Sequence, residues 1–221
     1  MTFQRARSEE QREIRRRAIL DTVAAMLEEM PVAEVSLNEI SRRVGLAKSN
    51  VLRYFESREA VLLELLDSFL ESWIAELTAE LAAGVEAGAS PETRARQLAE
   101  ILSRTLANRA VLCDLFGAQG GVLERNVSVE VVKRHKRSSL AKLTAMSDLL
   151  RRHVPELGDE APMFCLMGLA SAGALSTYVP PPPSLLTAYA DEPGLGVLHM
   201  ELREALLISF TSTLLGVLPR A

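Results

Sequence analysis

The sequence predicts an all-α protein, and three observations carry that prediction. Alanine and leucine dominate while aromatic residues make up only 5% of the 221 residues, a balance that favours helices over sheets. Apolar residues recur at three- and four-residue spacing behind helix-start signals. The strict alternation expected of half-buried strands is nearly absent.

Taken in order, Ser8-Glu9-Glu10-Gln11 reads as a capping box opening a first helix. Ile14, Ala18, Leu20, Val23, Ala24 and Leu27 form its apolar stripe, and Pro31 ends it. Ser36-Leu37-Asn38-Glu39 is a second capping box, for a short helix that stops at Gly45, where a tight turn calls for positive φ. A third short helix is expected over about 47–54. Ser57 caps a long fourth one, with Glu59 placed favourably in its first turn. Ser90-Pro91 starts the next helix, and Gly117, Gly120 and Gly121 interrupt the pattern. Residues 126–153 are predicted as one long amphipathic helix with Val129, Val132, Leu140, Leu143, Met146 and Leu150 on its apolar side. Gly158-Asp159 opens a helix to about 179. The four prolines at 180–183 are expected to be a stiff extended connector, before a last helix over 196–217.

Composition excludes several classes. Apolar residues are 48% and charged residues 24%, values of a folded rather than a disordered chain. Cys113 and Cys165 are far apart in apolar surroundings, as suits reduced thiols in the cytoplasm rather than a disulfide scaffold. No secretory signal is visible, and the most apolar run, 163–179, is short for a membrane span. His135, His153 and His199 have no metal-ligand spacing, so neither metal nor cofactor is expected. The glycines at 117–121 lack the strand and helix of a nucleotide loop. The formal charge of −4 hides an asymmetry. Residues 1–58 hold eleven Lys/Arg against nine Asp/Glu, and the acidic excess lies in the remainder. A slightly basic head on an acidic body fits a polyanion-binding end.

Residues 35–66 carry the strongest motif. Two short helices joined by a glycine turn, behind a longer first helix, make a helix-turn-helix candidate. Ile40, Val44, Leu46 and Val51 can face inward and lock the pair. Lys48, Ser49, Asn50 and Arg53 then project from the second helix, whose first turns meet base edges in a major groove. Asn50 suits adenine and Arg53 suits guanine. Asn38, Ser49, Asn50 and Arg53 are the candidate base-reading residues. Ser36, Lys48, Tyr54 and Arg58 are candidates for phosphate. Arg42 and Arg43 serve equally well as a solvated helix face.

These residues resemble the DNA-binding head of the TetR family of bacterial regulators. The shared elements are the Ser-capped helix with Ile40, the turn at Gly45-Leu46, Lys48, Val51, Tyr54-Phe55 and the Ser57-Arg58-Glu59 start of the fourth helix. The resemblance covers about residues 8–66. It implies a homodimer, a palindromic double-stranded DNA operator, and a helical body that binds a small effector, with the protein usually acting as a repressor released by ligand. It also implies a DNA-binding domain over 1–56 and a ligand-binding and dimerisation domain over 57–221. Two positions depart from the family pattern. Ala47 replaces a common Ser cap, and Leu52 replaces a frequent Tyr, which shifts the expected contact onto Arg53 and Tyr54.

The body has no diagnostic motif. Trp73, Phe116, Met146, Met163, Phe164 and Met167 are candidate walls for an apolar pocket, each equally at home in an ordinary core. Residues 91–153 are expected to bring no charged cluster to a core face, so the effector is expected to be mainly apolar. Gly168, Ala172 and Gly173 are small enough for close helix approach, and the resemblance places the dimer interface on the last two helices. A helical enzyme with an incidental helix-turn-helix would need a titratable constellation, and the sequence displays none. A ligand-independent DNA-binding or adaptor protein is the other alternative.

Overall fold

The structure, a computed structural model, describes the backbone of residues 2–219 and the side chains of residues 9–219. Among these, all regular structure is helical. The head comprises α1 (Thr2–Leu27), α2 (Leu37–Val44) and α3 (Lys48–Val51). The body comprises α4 (Arg58–Gly84), α5 (Pro91–Ala107), α6 (Ala110–Ala118), α7 (Val129–His153), α8 (Ala161–Ser176), α9 (Pro183–Asp191) and α10 (Leu202–Val217).

Serine caps set most of the register. Ser36, Ser57 and Ser90 each accept the N–H three residues on, at 3.2 Å, and Ser128 accepts that of Val131 at 3.4 Å. Each satisfies one of the amide donors that a helix start leaves open. Glu39 does not complete its capping box, because its carboxylate turns to Arg42 and Arg43. Gly45 closes α2 at φ 71°, ψ 29°, in the left-handed region that glycine enters without cost. α1 is already helical at Thr2, so the start predicted at Ser8 lies inside it; the Ser8 side chain is outside those described. Its inward stripe is Ile19, Val23, Met26 and Leu27, while Ile14 is exposed.

Other expectations need correction. The third helix is shorter than predicted: Ala47 offers no side-chain cap, and the chain tightens into turns after Val51. α5 and α6 are separate helices, broken at Asn108-Arg109. On α7, Val129 and Leu140 are exposed, and the buried positions are Val131, His135, Met146, Ser147, Leu149 and Leu150. α8 ends at Ser176, before the prolines, and Pro182 is extended as expected, but the connector is one residue shorter than predicted. Pro183 is the first residue of α9, the place where its missing N–H costs nothing. The last helix begins at Leu202, after a 3-10 segment over Pro193–Leu198.

In the body, α4 packs on α5 and α7, α6 crosses α8, and α10 lies against α5 and α8. Trp73 sits fully buried at the α4–α5 seam and donates its indole N–H to Thr105 Oγ1 at 3.0 Å. Phe164 meets Phe210 edge-on, with ring centroids 6.1 Å apart. Cys113 and Cys165 are free and buried, and burial pushes their thiols up to about 12 and about 11. The reactive thiolate is therefore suppressed in the native state. Iodoacetamide at pH 8 should label neither residue until denaturant is added, with mass spectrometry as the readout. Rapid native labelling would contradict the burial. No helix among the described residues is long and apolar enough to cross a membrane.

Candidate DNA-binding face and effector cavity

The head presents one coherent polar face. Val51 and Ile40 are fully buried, with Val44 and Leu46 packed beside them, and this locks α3 onto α2. Lys48, Ser49, Asn50 and Arg53 are left exposed, and none has a side-chain hydrogen bond among the described residues. Asn50, Arg53 and the half-buried Tyr54 share an open groove with Arg12 and Arg15 of α1. Sequence reasoning missed Arg12, because only the packing of α1 on α2 and α4 brings it to this face.

Several other cations are committed elsewhere. Arg42 forks onto Glu39 at 2.5 and 2.9 Å, while Arg43 bridges Glu39 and Glu29 at 2.8 and 2.7 Å. Hydrogen bonds from Arg42 and then Arg43 hold the Glu39 carboxyl down to about 2, so these pairs persist at neutral pH. Arg58, expected on phosphate, instead donates to Glu59 and to the Val35 carbonyl, clamping α4 to the approach of α2. Asn38 is exposed on α2, and Ser36 keeps its hydroxyl proton while its oxygen serves as cap.

The head is bonded to the body at several points. Arg16 stacks on Phe55, 4.2 Å from the ring centre, and bonds both the Tyr54 carbonyl and Glu64 of α4. The Val32 N–H donates to Asp114 of α6 at 2.8 Å. Glu56 accepts the Ser128 N–H at 2.5 Å, and that bond holds its carboxyl below the usual range.

A cavity of about 440 Å³ opens between α4, α6, α7 and α8. Leu70, Ile74, Phe116, Leu143, Met146 and Leu169 form its apolar walls. Of the six predicted pocket residues, Phe116 and Met146 line it. Trp73 and Phe164 are core residues beside a separate small void. Met163 and Met167 are outside the cavity, half exposed on α8.

One end of the cavity is polar, contrary to the expectation of no charged cluster. Asp67, Gln119, Glu124, His135 and Lys136 meet there. Glu124 accepts from Gln119 and Lys136, each at 2.7 Å. Burial works to raise its pKa, but these two bonds outweigh it and keep the carboxyl below the usual range. The cluster was hidden because its members come from α4, the 119–126 turns and α7, and His135 lies within a run of surface-like cations.

The small residues of α8 also serve differently than predicted. Ala172 and Gly173 are buried within the subunit. A Cβ on Gly173 would lie 2.6 Å from the Gly117 nitrogen, so this glycine permits the α6–α8 crossing. Gly168 similarly faces the Phe210 ring. The exposed apolar residues of α8 are instead Met163, Met167 and Leu166, the last at the cavity wall, and α10 exposes Ile208.

A helix-turn-helix head on a helical body is an architecture found in DNA-binding regulators. Residues 19–65 match the family described as bacterial regulatory proteins, tetR family, and residues 67–221 match the tetracyclin repressor-like C-terminal domain. The chain belongs to the TetR family of transcriptional regulators. The HTH-type transcriptional regulator EthR of Mycobacterium tuberculosis is 42% identical over 50 residues, a stretch covering 23% of this chain and 23% of EthR. Solved structures share the fold, two of them with a bound acyl-CoA. Thermus thermophilus FadR, a TetR-family repressor in complex with lauroyl-CoA, superposes with TM-score 0.55 at 18% identity, covering 93% of this chain and 96% of that one. Bacillus subtilis FadR in complex with stearoyl-CoA gives TM-score 0.53 at 14% identity, covering 91% and 98%.

Proposed function

We propose that the protein is a repressor that binds a palindromic operator as a homodimer and is released by a small, largely apolar effector. The observation that carries this reading is the apolar cavity walled by α4, the helix whose first turns hold the head. An occupant that favours one spacing of α4, α6 and α7 shifts the head between two arrangements, and only such differential affinity can drive a switch. The exposed apolar face of α8 and α10 is the proposed two-fold interface. The FadR proteins, solved with acyl-CoA, support an apolar-chain effector and make acyl thioesters a class to screen beside simpler apolar compounds.

In the proposed complex Ser49, Asn50 and Arg53 read bases, with Asn38 at the margin. Lys48, Tyr54, Ser36 and, from α1, Arg12 and Arg15 hold phosphates; Arg58 drops out of that set. The test begins with selection of bound DNA from a random library. On the recovered site, Arg53→Ala should cost about 1–3 kcal/mol and relax preference at one base pair. Lys48→Ala should weaken all sequences alike and reduce the salt slope by about 1. Wild-type binding by Arg53→Ala would overturn the base-reading assignment. A broad apolar panel that shifts neither melting nor operator binding would overturn the effector reading.

A further inference from the structure

α8 and α10 are joined by a segment that the body does not hold. Every residue of 180–200 is exposed or half-buried, and none packs against the hydrophobic core. Pro183 opens α9 within it, and α9 packs on the 3-10 segment over Pro193–Leu198. Tyr189 meets His199 edge-on, with ring centroids 6.0 Å apart. The segment is an arm folded on itself. A helix of only nine residues is marginal in water without a surface to pack on. Yet the arm turns Leu185, Leu186, Leu195, Val197 and Leu198 to solvent, with Val197 84% and Leu198 70% exposed. Bare apolar side chains gathered on so short a stretch mark an interaction surface.

Composition narrows the partner. The only Asp, Glu, Lys or Arg in 180–200 are Asp191 and Glu192. Without a cation the arm is unsuited to DNA phosphates or to an anionic membrane surface. A protein surface suits it, and its attachment points to which one. The arm leaves from α8 and returns into α10, the two helices of the proposed two-fold interface, so it stands beside that seam. Those helices by themselves expose few large apolar residues, namely Met163, Leu166, Met167 and Ile208. A stable interface draws on roughly 20–30 residues a side. The twenty-one residues of the arm bring the seam to that size.

Resting on the proposed homodimer, we infer that residues 180–200 are an exchanged arm. Each copy lays α9 and its 3-10 segment across the other copy, with the leucines and Val197 inward. Under a two-fold axis each copy gives one arm and receives one.

The test uses the full-length protein. Val197→Glu combined with Leu198→Glu puts carboxylates where the single subunit already meets water, so its own core is untouched. Fluorescence-detected sedimentation should show the dimer dissociating at roughly tenfold or higher concentration than the parent, because the interface then encloses unpaired charge. Leu186→Glu, on α9, should shift dissociation in the same direction and stands in if the double variant misfolds. Limited chymotrypsin digestion reads the arm directly. Cleavage within 180–200 of the parent should slow as its concentration rises through the dimerisation range. A parent dimer that neither variant weakens, or an arm cut equally fast at every concentration, would overturn the inference and leave α8 and α10 as the interface. A parent that stays monomeric throughout would remove the homodimer reading and this one with it.

Discussion

Trp73→Ala is expected to lower the unfolding free energy by about 3–5 kcal/mol, the range for deleting a large aromatic from a closed core. Trp73 has no exposed surface, and its neighbours Leu102 and Leu106 are almost as enclosed. The loss is not only volume. Thr105 Oγ1 accepts the indole N–H while donating to the Ile101 carbonyl at 2.8 Å, so truncation removes one of its buried bonds. Denaturant unfolding followed by circular dichroism, at matched protein concentration, measures the effect. The chain contains a single tryptophan, which rules out intrinsic tryptophan fluorescence as the probe for the variant. A loss below about 1.5 kcal/mol would mean that the α4–α5 seam collapses around the gap far better than closed cores usually do.

Gly173→Leu should be similarly disruptive, and even Gly173→Ala should be damaging. The added Cβ would lie 2.6 Å from the Gly117 nitrogen and 2.7 Å from the Phe116 carbonyl carbon. Those are backbone atoms, so no rotamer change relieves the clash and α6 must move away from α8. Overpacking typically costs about 1–3 kcal/mol, more where the backbone itself has to shift. Because Phe116 lines the cavity, the surviving folded protein should also lose apolar-ligand stabilisation. Sedimentation separates this from an interface effect. An alanine variant that melts like its parent but dissociates to monomer would return Gly173 to the subunit boundary.

The parts of this protein legible in its sequence were those specified by neighbours along the chain. Ser36, Ser57 and Ser90 announce their helices because a cap and its amide are three residues apart. Gly45 announces the turn because few other residues tolerate its φ. The exposed positions of α3 followed from the burial of Ile40 and Val51. What stayed hidden depends on residues far apart in sequence. In the sequence His135 stands among Lys133, Arg134, Lys136 and Arg137, yet α7 packs against α4 so that this position turns inward to Asp67. Met163 and Met167 looked like pocket walls, but rotation of α8 is set by Phe164 packing on Phe210 and Gly173 on Gly117. Arg58 looked free for phosphate because nothing nearby in sequence reveals the Val35 carbonyl.

The bonds from Val32 to Asp114 and from Glu56 to Ser128, together with α4 itself, support the head at three separated points. A platform on three struts tilts when one strut shortens; it translates only when all three move together. The struts stand on α6, on the start of α7 and on α4, which are also walls of the cavity. An occupant that displaces one wall more than the others therefore changes the inclination of α3, not merely its distance from the body. In a two-headed assembly whose recognition helices must enter successive major grooves about 34 Å apart, inclination and separation are distinct ways to miss the operator. Two ligands of equal affinity that press on different walls could thus release DNA to different degrees.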